Sequence, residues 1–295
     1  MDAPNPSASP TFANRTPLRV GSVGLKARDL NRLTAFYRDA IGLSVLGRDA
    51  KSIKLGAGGV TLLELEAAPD AKPDDPRTAG LFHTAFLQPT RGDLARWLVH
   101  AAKHRVPLTG ASDHAVSEAI YLDDPEGNGI EVYRDRLPEE WRWNSGRIHM
   151  TTDRLDLDNL AVDAGPAVYA SAPDGLRVGH IHLRVGDLDA AQRFYSGLVG
   201  LDVTAGRHGA LFMSSGRYHH HVGANIWQSA GAMLRDANHA GLSWFTVETG
   251  DRAALDAVRA RFDGIKLPSE PAGDGVEVRD PWGTRVHFVP ASPYQ

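Results

Sequence analysis

The 295-residue chain contains no cysteine. Disulfides and thiolate metal sites are therefore excluded. A bound metal would have to rely on histidine and carboxylate, ligands that suit Fe(II), Mn(II) or Zn(II). An excess of one charge sign is missing too: 32 Lys and Arg stand against 36 Asp and Glu, interspersed, for a formal net charge of -4. Nothing suggests a basic nucleic-acid surface, and a small-molecule partner is the expectation. The start, Met1-Asp2-Ala3-Pro4-Asn5-Pro6-Ser7, lacks a basic segment followed by an apolar run. Neither a signal peptide nor a membrane anchor is expected, and the expected location is the cytoplasm. Residues 1–16, mostly small, polar or proline, are expected to form a disordered tail.

What is present is enough for a sizeable core. The chain is 42% hydrophobic and 23% charged, and its length suits two domains or one duplicated unit. Thirteen histidines are a generous supply.

Residues 18–26 alternate as a strand does. Asp29 is placed to cap the helix that follows, where Leu30, Leu33, Phe36, Tyr37, Ala40 and Ile41 make one apolar face and Gly42 ends it. Three short strands are expected over 43–47, 51–55 and 60–66, with a turn at 56–59. After a polar loop at 69–76 the pattern restarts: a strand over 80–86, a helix over 93–104 with Leu94, Trp97, Leu98 and Ala101 inward, and strands over 118–122 and 130–133 around the turn Asp123-Asp124-Pro125-Glu126-Gly127-Asn128-Gly129. Residues 136–177 read as a connector with a short helix near 155–162. Trp141 and Trp143 are expected to pack it onto the halves.

The stretch His180-Ile181-His182-Leu183-Arg184-Val185-Gly186-Asp187-Leu188 opens a second copy. Leu25, Asp29, Leu30, Phe36, Tyr37, Gly42 and Leu43 each recur 158 residues later, as Leu183, Asp187, Leu188, Phe194, Tyr195, Gly200 and Leu201. The end repeats as well: Asp280-Pro281-Trp282-Gly283-Thr284-Arg285-Val286-His287-Phe288 answers Asp124-Pro125-Glu126-Gly127-Asn128-Gly129-Ile130-Glu131-Val132. This duplication decides the fold class. The chain is α+β, built of four strand-helix-three-strand (βαβββ) modules in two halves.

The strand-Asp-Leu-helix-Phe-Tyr-Gly-Leu pattern and the Asp-Pro-x-Gly-x-x-Ile-Glu turn resemble the vicinal oxygen chelate superfamily of glyoxalase I, bleomycin-resistance proteins and type I extradiol dioxygenases. The resemblance runs from about residue 18 to 290. Within it, His83-Thr84-Ala85-Phe86, Gly110-Ala111-Ser112-Asp113-His114, residues 124–136, Gly179-His180-Ile181-His182-Leu183 and Tyr218-His219-His220-His221 are similar to the two-domain catechol 2,3-dioxygenases of Bacillus type. The resemblance implies a first domain over 17–135, a connector over 136–177 and a second domain over 178–291, with cupped mixed sheets around a divalent metal.

It also implies where ligands come from: the first and last strands of paired modules. The first-strand positions are Ser22, His83, His180 and Trp244, and the last-strand positions include Glu131 and His287. Neither half alone offers a convincing set. Pairing the second module with the third gives His83, Glu131 and His180 as metal ligands, the two-histidine-one-carboxylate set of non-haem Fe(II) oxygenases. A carboxylate facing inward at Glu131 is costly unless paired or metal-bound. The module pair left over, with Trp244 and His287, would serve as scaffold.

The implied activity is Fe(II)-dependent extradiol cleavage of catechol or a related aromatic diol by O2, with Mn(II) as the other metal and a homo-oligomer left open. His221, His219 and His114 are the expected acid/base residues, since histidine titrates near neutrality. His219 and His221 would share one strand face, and Tyr218 the other with His220. Tyr133, His182, Tyr218 and Trp227 are expected to bind substrate. His182 shares a face with His180 and is the alternative ligand. Two other readings remain open: a glyoxalase-like lyase or isomerase, and a non-catalytic ligand-binding protein.

Overall fold

The computed structural model describes residues 11–291. Four strand-helix-three-strand modules follow one another. The first comprises β1 (Leu18–Ala27), α1 (Leu30–Phe36, continued by a π-helical turn over Tyr37–Ile41), β2 (Ser44–Arg48), β3 (Ser52–Ala57) and β4 (Val60–Ala67). The second comprises β5 (Gly80–Leu87), α2 (Arg91–Lys103), β6 (Gly110–Asp113), β7 (Ser117–Asp123) and β8 (Gly129–Asp135). The connector carries β9 (Trp143–Asn144), β10 (Arg147–Ile148), β11 (Asp153–Arg154) and α3 (Leu157–Val162). The third module is β12 (Arg177–Arg184), α4 (Leu188–Ala191, continued by a π-helical turn over Gln192–Leu198), β13 (Asp202–Arg207), β14 (Ala210–Ser214) and β15 (Val222–Asn225). The fourth is β16 (Gly241–Thr249), α5 (Arg252–Gly264), β17 (Ser269–Ala272), β18 (Gly275–Arg279) and β19 (Arg285–Pro290).

Each module helix opens on a side-chain cap. Asp29, Thr90, Asp187 and Asp251 accept from the backbone N–H groups of Arg32, Asp93, Ala190 and Ala254, satisfying donors that the first turn leaves free. The Thr90 cap is why α2 begins before residue 93. Gly42 and Gly200 end their helices with φ of 87° and 94°, a backbone region that favours glycine.

The modules pair across the repeat. One eight-stranded sheet runs β17-β18-β19-β16-β1-β4-β3-β2, joining the first module to the fourth. A nine-stranded sheet runs β11-β6-β7-β8-β5-β12-β15-β14-β13, joining the second to the third. This is the pairing that the ligand positions required. Inward residues of both sheets and the helices, among them Leu25, Leu33, Phe86, Trp97, Ile181, Phe245 and Phe288, form one core cluster.

The repeated tyrosine and the repeated Asp-Pro turn prove to be partners. The Tyr37 hydroxyl donates to Asp124 at 3.0 Å, and Tyr195 donates to Asp280 at 2.9 Å. Each bond links the two sheets, because Tyr37 and Asp280 belong to modules of the eight-stranded sheet and Asp124 and Tyr195 to those of the nine-stranded one. Burial pushes the Asp280 carboxyl up to about 6. The folded chain therefore holds this proton at a pH where the unfolded chain has lost it. Stability from Asp280 is fully present below about pH 4 and falls as pH rises to about 6, by about 3 kcal/mol at most. In urea titrations between pH 4 and 7, Asp280→Asn should lack that part of the decline. Identical slopes in the two proteins would refute this account.

The segment before β1 departs from expectation. Residues 1–10 of the expected tail lie outside the described residues. Residues 11–16 are packed, with a 3-10 turn over Ala13–Arg15 and with Ala13, Asn14 and Thr16 buried. Thr16 Oγ1 lies 3.0 Å from His221 Nε2. In the connector, the Trp141 indole donates to the Val116 carbonyl and packs edge-on to Phe12 and Tyr218. Among the described residues no helix is long and apolar enough to cross a membrane.

Candidate metal centre

β5 and β12 run antiparallel at the middle of the nine-stranded sheet, with His83 opposite His182 and a register shift between Val178 and His180. β8 lies parallel to β5 on its other side and sets Glu131 beside Ala85. Three side chains converge there. His83 Nε2 is 3.0 Å and His180 Nε2 3.2 Å from Glu131 Oε2, and the two ring nitrogens are 3.4 Å apart. All three residues are buried.

These separations test whether a metal fits. Donors about 2.0–2.2 Å from one ion lie about 3.0–3.4 Å from each other between right-angled and tetrahedral geometry. The three observed separations span that range, and the donors are those a hard or borderline divalent ion takes. Burial alone would raise the Glu131 carboxyl, but the charges and hydrogen bonds of His180 and His83 outweigh it and hold the group well below the usual range. Burial pushes the His180 ring down to about 4. At neutral pH the carboxylate carries the charge and the His180 ring is neutral, the protonation states that metal binding needs.

A cavity of about 640 Å³ opens against this cluster and is lined in part by His83, Glu131, His182, His114, Tyr121, His220, Phe82, Phe212 and Trp227. His182 and Trp227 are where substrate-binding residues were expected. Burial pushes the His182 ring well below its ordinary value, and the Asn225 amide sits 3.1 Å from its Nε2. Phe82 and Trp227 stand edge to face at 5.1 Å. His114 is also on the cavity. Its Nδ1–H donates to the Thr151 carbonyl at 2.7 Å, so in the neutral ring Nε2 accepts from the Tyr121 hydroxyl at 2.6 Å. Burial and the neighbouring Glu131 push Tyr121 well above the ordinary phenol range.

Four expected site residues lie elsewhere. Residues 218–221 form a bend between β14 and β15, not a strand, so alternation does not apply to them. His221 turns away from the cavity toward Thr16 and Ser214 Oγ, each 3.0 Å away. His219 binds Asp135 Oδ1 at 2.8 Å, and it is His220 that lines the cavity. Tyr218 donates to Asp135, and Tyr133 crosses over Gly179 to reach the Tyr218 hydroxyl at 2.7 Å, so both are packed behind the wall. Tyr121 escaped the sequence reading although the hairpin sets it directly opposite Glu131. Counting outward from the turn at Asp123 to Gly129 would have found it.

In the other sheet the corresponding positions are filled by packing. Trp244 stacks on His287 at 4.9 Å and donates to Glu66, while Ser22 meets Thr246. A side chain at Gly24 would lie 2.2 Å from the Trp244 ring. His287 binds Glu277 at 2.8 Å.

The model of the Glyoxalase/Bleomycin resistance protein/Dioxygenase superfamily matches residues 19–132 and 177–288. The chain belongs to that superfamily. Among its members, a catechol-2,3-dioxygenase of Bacillus subtilis (strain 168) is 39% identical over 276 residues, covering 92% of this chain and 96% of that one. A biphenyl-2,3-diol 1,2-dioxygenase 3 of Rhodococcus globerulus is 37% identical over 99 residues, 33% of this chain and 50% of that one. The solved structure of a putative dioxygenase from Bacillus subtilis subsp. subtilis str. 168 shares the superfamily fold, with a TM-score of 0.64 at 14% identity over 95% of this chain and 86% of that one. This superfamily member is an oxidoreductase of the extradiol dioxygenase kind.

Proposed function

We propose that the protein is an Fe(II)-dependent dioxygenase of the cytoplasm that opens the ring of catechol, or of a related small aromatic diol, beside its two hydroxyls. The observation that carries this reading is the buried His83–Glu131–His180 set, of which His83 and Glu131 line a cavity large enough for a substituted arene. Fe(II) held by these three would supply Lewis acidity and the one-electron chemistry that lets O2 react with a closed-shell aromatic diol; Mn(II) suits the same donors.

The rest falls to side chains. Phe82, Phe212 and Trp227 supply flat apolar walls that align an aromatic ring and keep water out. Glu131 balances part of the metal's charge. His220 and the Tyr121–His114 pair present groups that take, hold or return the hydroxyl protons. His182, held by Asn225, packs against Phe82 with its ring 4.9 Å away and fixes that wall. A glyoxalase-like isomerase would call for a further carboxylate from the last strand of the third module. Asn225 stands there and is bound to His182.

Protein purified without oxygen and loaded with Fe(II) should consume O2 with catechol and form a yellow ring-opened product, with one metal ion per chain by elemental analysis. A protein that keeps Zn or Ni and takes up no O2 with any catechol would defeat the proposal.

A further inference from the structure

Behind the cavity wall lies a buried chain of hydrogen bonds. His220 lines the cavity, and its Nδ1 is 2.7 Å from Nδ1 of His219. His219 Nε2 is 2.8 Å from Asp135 Oδ1. The same oxygen accepts from the Tyr218 hydroxyl at 3.1 Å, and Tyr133 donates to Tyr218 in turn. Asp135 Oδ2 is buried without a hydrogen-bond partner among the described residues. The stabilisation of this carboxylate thus falls on its Oδ1 side. His219 is held from three directions, with the Tyr218 ring at 4.0 Å and Trp141 at 5.4 Å, and has no exposed surface.

We propose that Asp135 and His219 are positioning residues that fix the tautomer of His220. A carboxylate only accepts, so His219 must place its proton on Nε2. A neutral His219 then has a lone pair on Nδ1. At 2.7 Å that lone pair demands an N–H from His220 Nδ1. His220 is left with an unprotonated Nε2, which makes no hydrogen bond among the described residues and faces the cavity. At this point of the wall His220 therefore offers a diol hydroxyl an acceptor and not a donor, and the choice is made two side chains away. The reverse order would need His219 protonated on both nitrogens or Asp135 protonated. This logic follows how a buried carboxylate sets an imidazole's tautomer in hydrolases.

The use of this arrangement in turnover rests on the dioxygenase reading; the order of the hydrogen bonds does not. Nitrogen NMR of the histidine rings in the metal-free wild type tests that order directly. His219 should show a protonated Nε2 and a bare Nδ1, and His220 a protonated Nδ1 and a bare Nε2. A protonated Nε2 on His220 would overturn the proposal. Asp135→Asn keeps the volume and removes the fixed acceptor. It should mix the His220 tautomers in the same spectra. With Fe(II) and catechol it should lower kcat by on the order of 10²-fold while KM moves only a few-fold. Wild-type kcat in this variant would also overturn the proposal. If the variant does not fold, the wild-type spectrum still decides. A wild type with the expected tautomers and no catechol cleavage would sink the dioxygenase reading and leave the inference about His220 standing.

Discussion

His83→Ala and His180→Ala should each lose bound metal and ring-cleaving activity together. Each ring contributes one of three donors that converge within 4.8 Å of one another. Residues that merely orient a ligand change metal affinity by about 10–100-fold, so loss of a ligand itself should exceed roughly 10²-fold. Activity should drop below detection at metal concentrations that saturate the wild type. The fold should survive, because each change truncates one side chain and leaves the backbone ladder between β5 and β12 intact. His182→Ala is the informative comparison. It shares the face of His180, but its Nε2 is engaged by Asn225. It should keep metal and show a raised KM. Metal retained in both His83→Ala and His180→Ala, or lost in His182→Ala alone, would move the centre elsewhere.

The largest stability change should come from Asp74→Ala, outside the three-residue cluster. Asp74 sits in the loop between β4 and β5 and accepts from two guanidinium groups, Arg184 at 2.5 Å and Arg235 at 2.7 Å. All three side chains are nearly buried, with 8% to 11% of their surface exposed. Arg184 also donates to the Thr78 carbonyl, and Arg235 to Leu242 and Ala240. Those carbonyls satisfy hydrogens but do not neutralise charge. Removing the carboxylate leaves two uncompensated cations side by side in a medium of low polarity, a change that costs about 3–5 kcal/mol. Thermal unfolding should shift down by roughly 10 °C for a chain of this size. Arg184 lies on β12 and Arg235 just before β16, so the loss should be felt in both sheets. A loss below about 1 kcal/mol would show that water reaches the cluster.

Much of this architecture could be read from the chain because the informative residues repeat. Asp29 and Asp187, Gly42 and Gly200, and Tyr37 and Tyr195 occupy equal places in two copies, and a physical role in one is a role in the other. The pairing of the second module with the third followed from the ligand positions that the superfamily resemblance implies, since neither half offers a convincing set alone. The site failed to read where local geometry leaves regular structure. The sequence at Tyr218-His219-His220-His221 suits a strand, and only the bend after β14 turns His220 to the cavity and His221 to Thr16. Asp135 lies within the matched stretch 124–136, but its role gave no signal, because its partners are contributed from 83 and 84 positions away and no periodicity links them. Residues 13–16 were read as tail on composition, yet they cover His221, and burial by distant chain cannot be seen in composition.

The two Tyr–Asp bonds carry a consequence for what counts as a part of this molecule. The stretch that repeats along the sequence and the stretch that closes hydrogen bonds with itself are different stretches. Each half sends one module into each sheet, and each half's tyrosine finds its aspartate across the sheet boundary. Inheritance and cohesion therefore cut the chain along different lines. A border drawn at the connector divides the ancestry of the protein but passes through the middle of both sheets, and through the cluster where His180 meets His83 and Glu131.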